Sequence, residues 1–215
     1  MTTPQPSRLI SAAAKAALQS LGCVQKGRSR IWLDDRSLWV GVVEFQPSSW
    51  ATGSYLNVGA CWLWLEKDYL SFDAGYRIDG FNAFQGDEPF AEVAKRLAER
   101  ARDEVEALRK RFSSPSHVQA WITRKGPISI RDHYHLAVSA GLATDWDQSA
   151  RSFADVMSDP EDRPWAADIK RRAAELMQYA ELGGRFEREV METVRRSRQR
   201  LGLPVGRDGP AEHHA

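Results

Sequence analysis

The chain has 215 residues, 42% hydrophobic and 27% charged, which is ordinary globular composition and enough for one sizeable domain or two small units sharing a core. Lys+Arg 30 against Asp+Glu 29 leaves a net charge of +1, which argues against a dedicated nucleic-acid binder and leaves room only for a local basic patch. No window approaches the roughly 20 apolar residues of a membrane span, and MTTPQPSRLI lacks the apolar core of a signal peptide, so the reading is a soluble, cytoplasmic protein without membrane contact.

Residues 1–6 read as a polar, proline-containing arm. Ser7 is placed to cap a helix that carries Leu9, Ile10, Ala13, Ala17, Leu18 and Leu21 at helical spacing, with Gly22 closing it. The period then changes to two. Lys26–Asp34 reads as a strand with Arg28, Arg30 and Trp32 on one parity and Ile31 and Leu33 on the other. Asp34-Asp35-Arg36 turns the chain into a second strand, Leu38–Gln46, where Trp39, Val43 and Phe45 alternate with Val40, Val42, Glu44 and Gln46. Pro47-Ser48-Ser49 stops that strand because proline cannot donate to the ladder, and the loop to Gly53 carries Trp50. Tyr55–Trp64 is a third strand, with Leu56, Val58 and Trp62 opposite Tyr55, Asn57 and Gly59. Tyr69–Ile78 is a fourth, with Phe72 and Tyr76 on one face. Short connections predict an antiparallel meander.

From Pro89 onward the pattern is helical. Phe90, Val93, Ala94, Leu97, Ala101, Val105, Leu108 and Phe112 form one apolar stripe over Glu88–Phe112, and Ser113-Ser114-Pro115 ends it. A short helix through Trp121 stops at Gly126-Pro127. A helix opened by Ser129 or Asp132 runs to Leu142, and Asp145–Met157 is its antiparallel partner. Helices over Pro164–Leu182 and Arg185–Leu201 follow, then a disordered tail. The hairpin over Asp132–Met157 has a tetratricopeptide look, but a solenoid needs about three such units. The predicted fold class is α+β: a small antiparallel β-meander packed on an N-terminal helix and a long amphipathic helix, then an all-helical region. The expected division is 1–112, 116–202 and a tail at 203–215.

The pieces LGCVQKGRSRIW, VVEFQPSSW and YLNVGA carry a resemblance. Over residues 18–64 the chain resembles the bacterial domain-of-unknown-function family 4304, whose pattern runs from a helix ending in Leu-Gly into a Lys-Gly-Arg strand, a Phe-Gln strand end with a serine-rich loop, and an Asn-Val/Leu-Gly strand. Leu21-Gly22, Lys26-Gly27-Arg28, Phe45-Gln46-Pro47-Ser48-Ser49 and Asn57-Val58-Gly59 stand in those places, and Cys23 departs from the usual aromatic. The resemblance implies no particular activity. Some members look like parts of toxin–immunity neighbourhoods, which implies a protein-binding role.

The main candidate surface is the basic, amide-rich set Lys26, Arg28, Arg30, Gln46 and Asn57, with Ser48, Ser49 and Trp50 in the adjoining loop. If these side chains share one face, their forks and amides suit a carboxylate or phosphate; the bland alternative is a solvated or helix-covered polar face carrying ion pairs with Glu44 and Asp73. Trp32 and Trp50 are the tryptophans with freedom to be exposed, whereas Trp39 and Trp62 share parity with core residues. Stacking of nucleic-acid bases on them is a weaker reading. His133 and His135, beside Asp132, are two apart on a helix and do not face each other, so core or surface roles outweigh metal ligation; His213 and His214 fall in the tail. GxSxG, HExxH, P-loop and dinucleotide signatures are absent, and Gly41 and Gly59 read as close backbone approaches. Cys23 and Cys61 read as reduced thiols rather than a required disulfide. Arg195, Arg196, Arg198 and Arg200 suit a helix C-terminus or, alternatively, an acidic protein partner. The functional expectation is a non-enzymatic protein-interaction module of a bacterial cytoplasmic protein, immunity-like in one form, with no cofactor, metal or catalytic residue. The alternative is a binder or hydrolase of an anionic small molecule or nucleotide.

Overall fold

A computed structural model describes residues 5–180, 182 and 184–204, so most of the expected tail lies outside the described residues. The strands are N-terminal and the helices C-terminal, in the α+β arrangement that the change of period predicts. The chain divides into two compact units. One comprises residues 5–61 with Leu70–Arg109; the other comprises Trp62–Tyr69 with residues 110–204. The pattern alone did not separate Trp62–Tyr69 from the strand before it.

In the first unit, helix α1 (Gln5–Leu18) continues as a 3₁₀ turn through Leu21, and Gly22 closes it at φ 79°. The strands are β1 (Val24–Gln25), β2 (Ile31–Asp35), β3 (Trp39–Gln46), β4 (Gly53–Trp62), β5 (Ala74–Arg77) and β6 (Asn82–Ala83). They form an antiparallel sheet in the order β1-β2-β3-β4-β5, with β6 paired to β4. Helix α2 (Asp87–Arg111) follows.

Residues two apart on a strand share a face. Trp32 opposes Val43, Asp34 opposes Gly41 and Val58 opposes Tyr76, which sets one face of the sheet. Three polar tethers bind that face to the helices: Arg30 donates to Ser7 Oγ, Arg109 holds Asp34, and the Tyr76 hydroxyl donates to Glu104 at 2.7 Å. Ile10, Ala14 and Leu18 of α1, and Phe90, Ala94, Leu97, Ala101, Val105 and Leu108 of α2, are buried. Each large apolar side chain so buried contributes about 1.5–3 kcal/mol.

Several sequence expectations are corrected here. Lys26–Arg30 is a turn, not strand: Gly27 takes φ 57° and the Lys26 N–H donates to the Ile31 carbonyl at 2.9 Å, closing a β1–β2 hairpin. Trp32 is 4% exposed and therefore belongs to the core. Phe72 and Tyr76 do not share a face. Tyr76 lies on the α2 side, whereas the Phe72 ring covers the glycine pair Gly59 and Gly75 on the other.

That pair is a close approach of two backbones. A Cβ on Gly59 would lie 2.6 Å from the Gly75 Cα and 2.8 Å from the Ala74 carbonyl oxygen. Gly59→Ala is expected to push β5 off the sheet at a cost of about 1–3 kcal/mol. Hydrogen exchange should show lost protection at the inward amides of β5, and unchanged protection there would refute the crowding argument.

The second unit contains α3 (Pro115–Lys125), α4 (Ile130–Leu142), α5 (Trp146–Ser158), α6 (Pro164–Met177) and α7 (Gly184–Leu201). Ser114, Ser129 and Asp145 cap the first three, accepting from the N–H groups of His117, Asp132 and Gln148. Each such cap is worth about 1 kcal/mol. Helix α6 stops at Met177, before the expected Leu182. Helix α4 packs on α3, α5, α6 and α7, which is why every residue from Tyr134 to Gly141 is buried. A train of rings fills the space around it. Trp62 stacks on Trp64 at 5.1 Å and 5°, Phe112 meets Trp62 edge-on, and Phe153 lies against Tyr134 and Phe186.

Candidate functional site

The structure separates the predicted basic and amide-rich set into three places. Lys26 and Arg28 are exposed in the β1–β2 turn. Arg30 shares the parity of Trp32 and turns to α1, where it donates to Ser7 Oγ; burial pulls its guanidinium pKa below the ordinary value. Gln46 and Asn57 lie on the opposite face. The cations and the amides therefore do not converge, because the hairpin turn places Arg28 outside the strand and the pleat sends Arg30 the other way.

What does assemble is a network around Asn57. Its Nδ2 donates to Glu44 Oε2 at 2.9 Å and to Gln46 Oε1 at 3.0 Å, which uses both of its protons. Arg77, opposite Asn57 on β5, donates from Nη2 to Gln46 Oε1 at 2.9 Å and from Nε to Asn57 Oδ1 at 3.3 Å. Its guanidinium lies 3.9 Å from the centre of the Tyr55 ring, within cation–π reach. Tyr55 in turn meets Phe81 at 5.1 Å. The result is an exposed Arg fork held in place by two amides and an aromatic ring.

The loop that continues from this network carries Ser48, Ser49 and Trp50. Ser48 Oγ accepts from the Trp50 N–H at 3.1 Å, a local turn that leaves the indole outward. Trp50 is 95% exposed, the most exposed large hydrophobic side chain among the described residues. Tyr55, Arg77 and Glu44 belong to the surface but were not among the sequence candidates. Tyr55 was legible from its shared parity with Asn57. Arg77 was not, because only the β4–β5 register puts it there.

The other candidates resolve as structure. Trp64 Nε1 donates to His135 Nδ1 at 3.0 Å, so that ring carries its proton on Nε2. His133 Nδ1 lies 3.2 Å from Asp155. Arg196 and Arg200 bracket Glu66, Arg195 pairs with Glu192, and Arg198 donates to the Pro204 carbonyl. Ser113 Oγ and His117 Nδ1 are 2.7 Å apart, one turn apart at the head of α3, and both are exposed. Among the described residues no group of three or more His, Cys, Asp or Glu could hold a metal ion, and no helix is long and apolar enough to cross a membrane. His213 and His214 lie outside the described residues.

Cys23 and Cys61 are both free and buried. Burial, reinforced by Asp34, pushes the Cys23 thiol up to about 11. Native Cys23 should alkylate roughly 100-fold more slowly at pH 8 than in the denatured chain, since thiolate is the reactive form. The sign for stability follows: the denatured thiol ionises first, so the fold loses stability between its ordinary pKa and about 11, with no contribution from this group below that window. Peptide mapping of iodoacetamide labelling against pH checks this, and equal native and denatured rates would contradict it.

No family model, curated protein or solved structure matches the chain.

Proposed function

We propose that this protein is a non-enzymatic protein-interaction module whose partner docks on the β3–β4 tip, with Trp50 as its anchor. The observation that carries the reading is the 95% exposure of Trp50 in the loop that follows Gln46, the residue that braces Arg77. Trp, Tyr and Arg are the residue types that dominate binding energy at protein interfaces. A flat ring in water loses little conformational entropy on docking, and an Arg already held by Gln46 and Asn57 loses less than a mobile one. The fitting partner offers an apolar pocket for the indole and a carboxylate for the fork. A bacterial immunity-like role is the form that the resemblance over residues 18–64 supports. The anionic-ligand alternative is weaker, since Arg30 is engaged with Ser7 and Arg28 stands in a turn.

The test is an affinity pull-down from the native host with wild type, Trp50→Ala, Arg77→Ala and Arg28→Ala as a control. A stoichiometric protein should be lost with Trp50→Ala, weakened by about 30-fold or more, and retained with Arg28→Ala. Trp50→Ala should leave stability within about 0.5 kcal/mol, because the side chain packs on nothing. A protein retained by both the Trp50 and Arg77 variants, or a nucleotide in place of any protein, would sink the proposal.

A further inference from the structure

A groove of about 490 Å³ opens in the first unit between the end of α1 and the edge strand β1, lined by Lys15, Gln19, Cys23, Val24, Gln25 and Trp32. Its size falls in the range of small-molecule sites. Three features of the lining point to one ligand class.

The first is Trp32. Its residue is 4% exposed, so the ring is a fixed wall rather than a surface side chain. Its indole N–H donates to no described residue, and it is not among the polar atoms sealed from solvent. Buried indoles ordinarily find an acceptor. Here that donor is unpaired among the described residues, on a side chain that lines the groove.

The second is charge. The lining contains the Lys15 ammonium and no carboxylate, and no carboxylate among the described residues pairs with Lys15. Asp34, whose charge acts on Cys23, is already held by Arg109 on both oxygens and by Arg36. The Gln19 side chain adds amide donors at the rim, while the Gln25 amide nitrogen is spent on the Ser29 carbonyl. The one formal charge in the lining is therefore positive.

The third is the floor. The Cys23 thiol, held protonated by burial, is a small apolar surface and not a nucleophile. With the Trp32 ring it forms an apolar bed beneath a cationic rim.

We infer that this groove binds a small monocarboxylate with a flat apolar body: the carboxylate takes the Lys15 ammonium and the Trp32 indole N–H, and the body lies on Trp32 and Cys23. The site is separate from the Trp50 surface, so either proposal can fail alone.

The test uses the ¹⁵N-labelled full chain titrated with 3-phenylpropionate, and with 3-phenylpropionamide as the uncharged counterpart. The Trp32 indole resonance is identified by its loss in Trp32→Phe. It should move saturably with the acid at millimolar concentration or below. The amide should bind at least about tenfold more weakly, and Lys15→Gln should weaken the acid by a similar factor while leaving the fold intact, because Lys15 is exposed. Capture of the protein partner should be unaffected by Lys15→Gln. A Trp32 resonance that stays fixed, or acid binding that is indifferent to Lys15→Gln or to loss of the charge, overturns the assignment.

Discussion

Arg109→Ala is expected to destabilise the protein by about 3 kcal/mol, lowering Tm by roughly 6–12 °C. Asp34 is 4% exposed and therefore needs its charge compensated inside the fold. Arg109 supplies this in bidentate form, from Nε to Oδ2 at 3.0 Å and from Nη2 to Oδ1 at 2.7 Å. The same Nη2 donates to the Leu21 carbonyl at 2.6 Å, tying the end of the first helical segment to α2 and β2 together. The hydrogen bonds to Asp34 raise the Arg109 pKa above its ordinary value, so the guanidinium stays charged throughout the accessible pH range. Truncation leaves a buried carboxylate with Arg36 as its remaining cation, at 3.1 Å and a third exposed. Removing both partners should cost less than the sum of the single variants, since an uncompensated charge is the larger part of each loss. Denaturant unfolding of Arg109→Ala, Asp34→Ala and the double variant measures the coupling. Additive losses would mean that the pair is solvated and contributes little.

Trp64→Ala carries the other large effect, about 3–5 kcal/mol, and it acts on the second unit. Trp64 is 1% exposed, stacks on Trp62, and fixes the His135 tautomer through its indole N–H. Its carbonyl also accepts from the Tyr134 hydroxyl at 3.2 Å, a bond to the main chain that the substitution spares. Full desolvation pushes the Tyr134 pKa upward, so the hydroxyl remains a donor. Trp64→Phe keeps one ring for the stack but loses the bond to His135 and part of the indole's volume, so it should cost about 1–3 kcal/mol. The difference between the two variants in thermal unfolding reads the packing of the retained ring, since both have lost the bond to His135. Equal losses would show that the bond, not the packed ring, dominates.

The helices were the most legible part of the chain. The stripe Phe90, Val93, Ala94, Leu97, Ala101, Val105, Leu108 and Phe112 is a property of one segment, and the structure buries each of these residues except the half-buried Val93. The cap at Ser129, one of the two openings the sequence offered with Asp132, is equally local, since one side-chain oxygen serves an N–H three residues on. The caps at Ser114 and Asp145 are of the same kind and were read only as a break and a helix start. Glu104 within the same stripe was not legible as buried, because its partners are Tyr76, from another element, and Arg100 one turn away.

The candidate surface was half legible. Parity correctly joined Gln46 and Asn57, but it also enlisted Lys26, Arg28 and Arg30, which a period-two count through a turn cannot exclude. Gly27 at φ 57° interrupts the strand where the basic residues begin. Trp32 shows the same limit: alternation gave its parity with Arg30, and only the helices against that side make the parity a buried one.

By itself, the sequence determined what depends on neighbours along the chain: the order of the helices, the change from period two to helical period, and the strand-ending proline before Trp50. It misplaced the start of α1, where Ser7 lies inside the helix and not at its cap, and the end of α6. The tertiary structure decided what depends on register and on which face is covered. Arg77 joins Gln46 and Asn57, Phe72 closes over a glycine pair, and Arg109 meets Asp34 because strands and helices distant in sequence are brought within hydrogen-bond reach. The physical reason is that periodicity fixes the direction of a side chain relative to its own backbone, whereas its partner is fixed by burial and pairing summed over the whole fold.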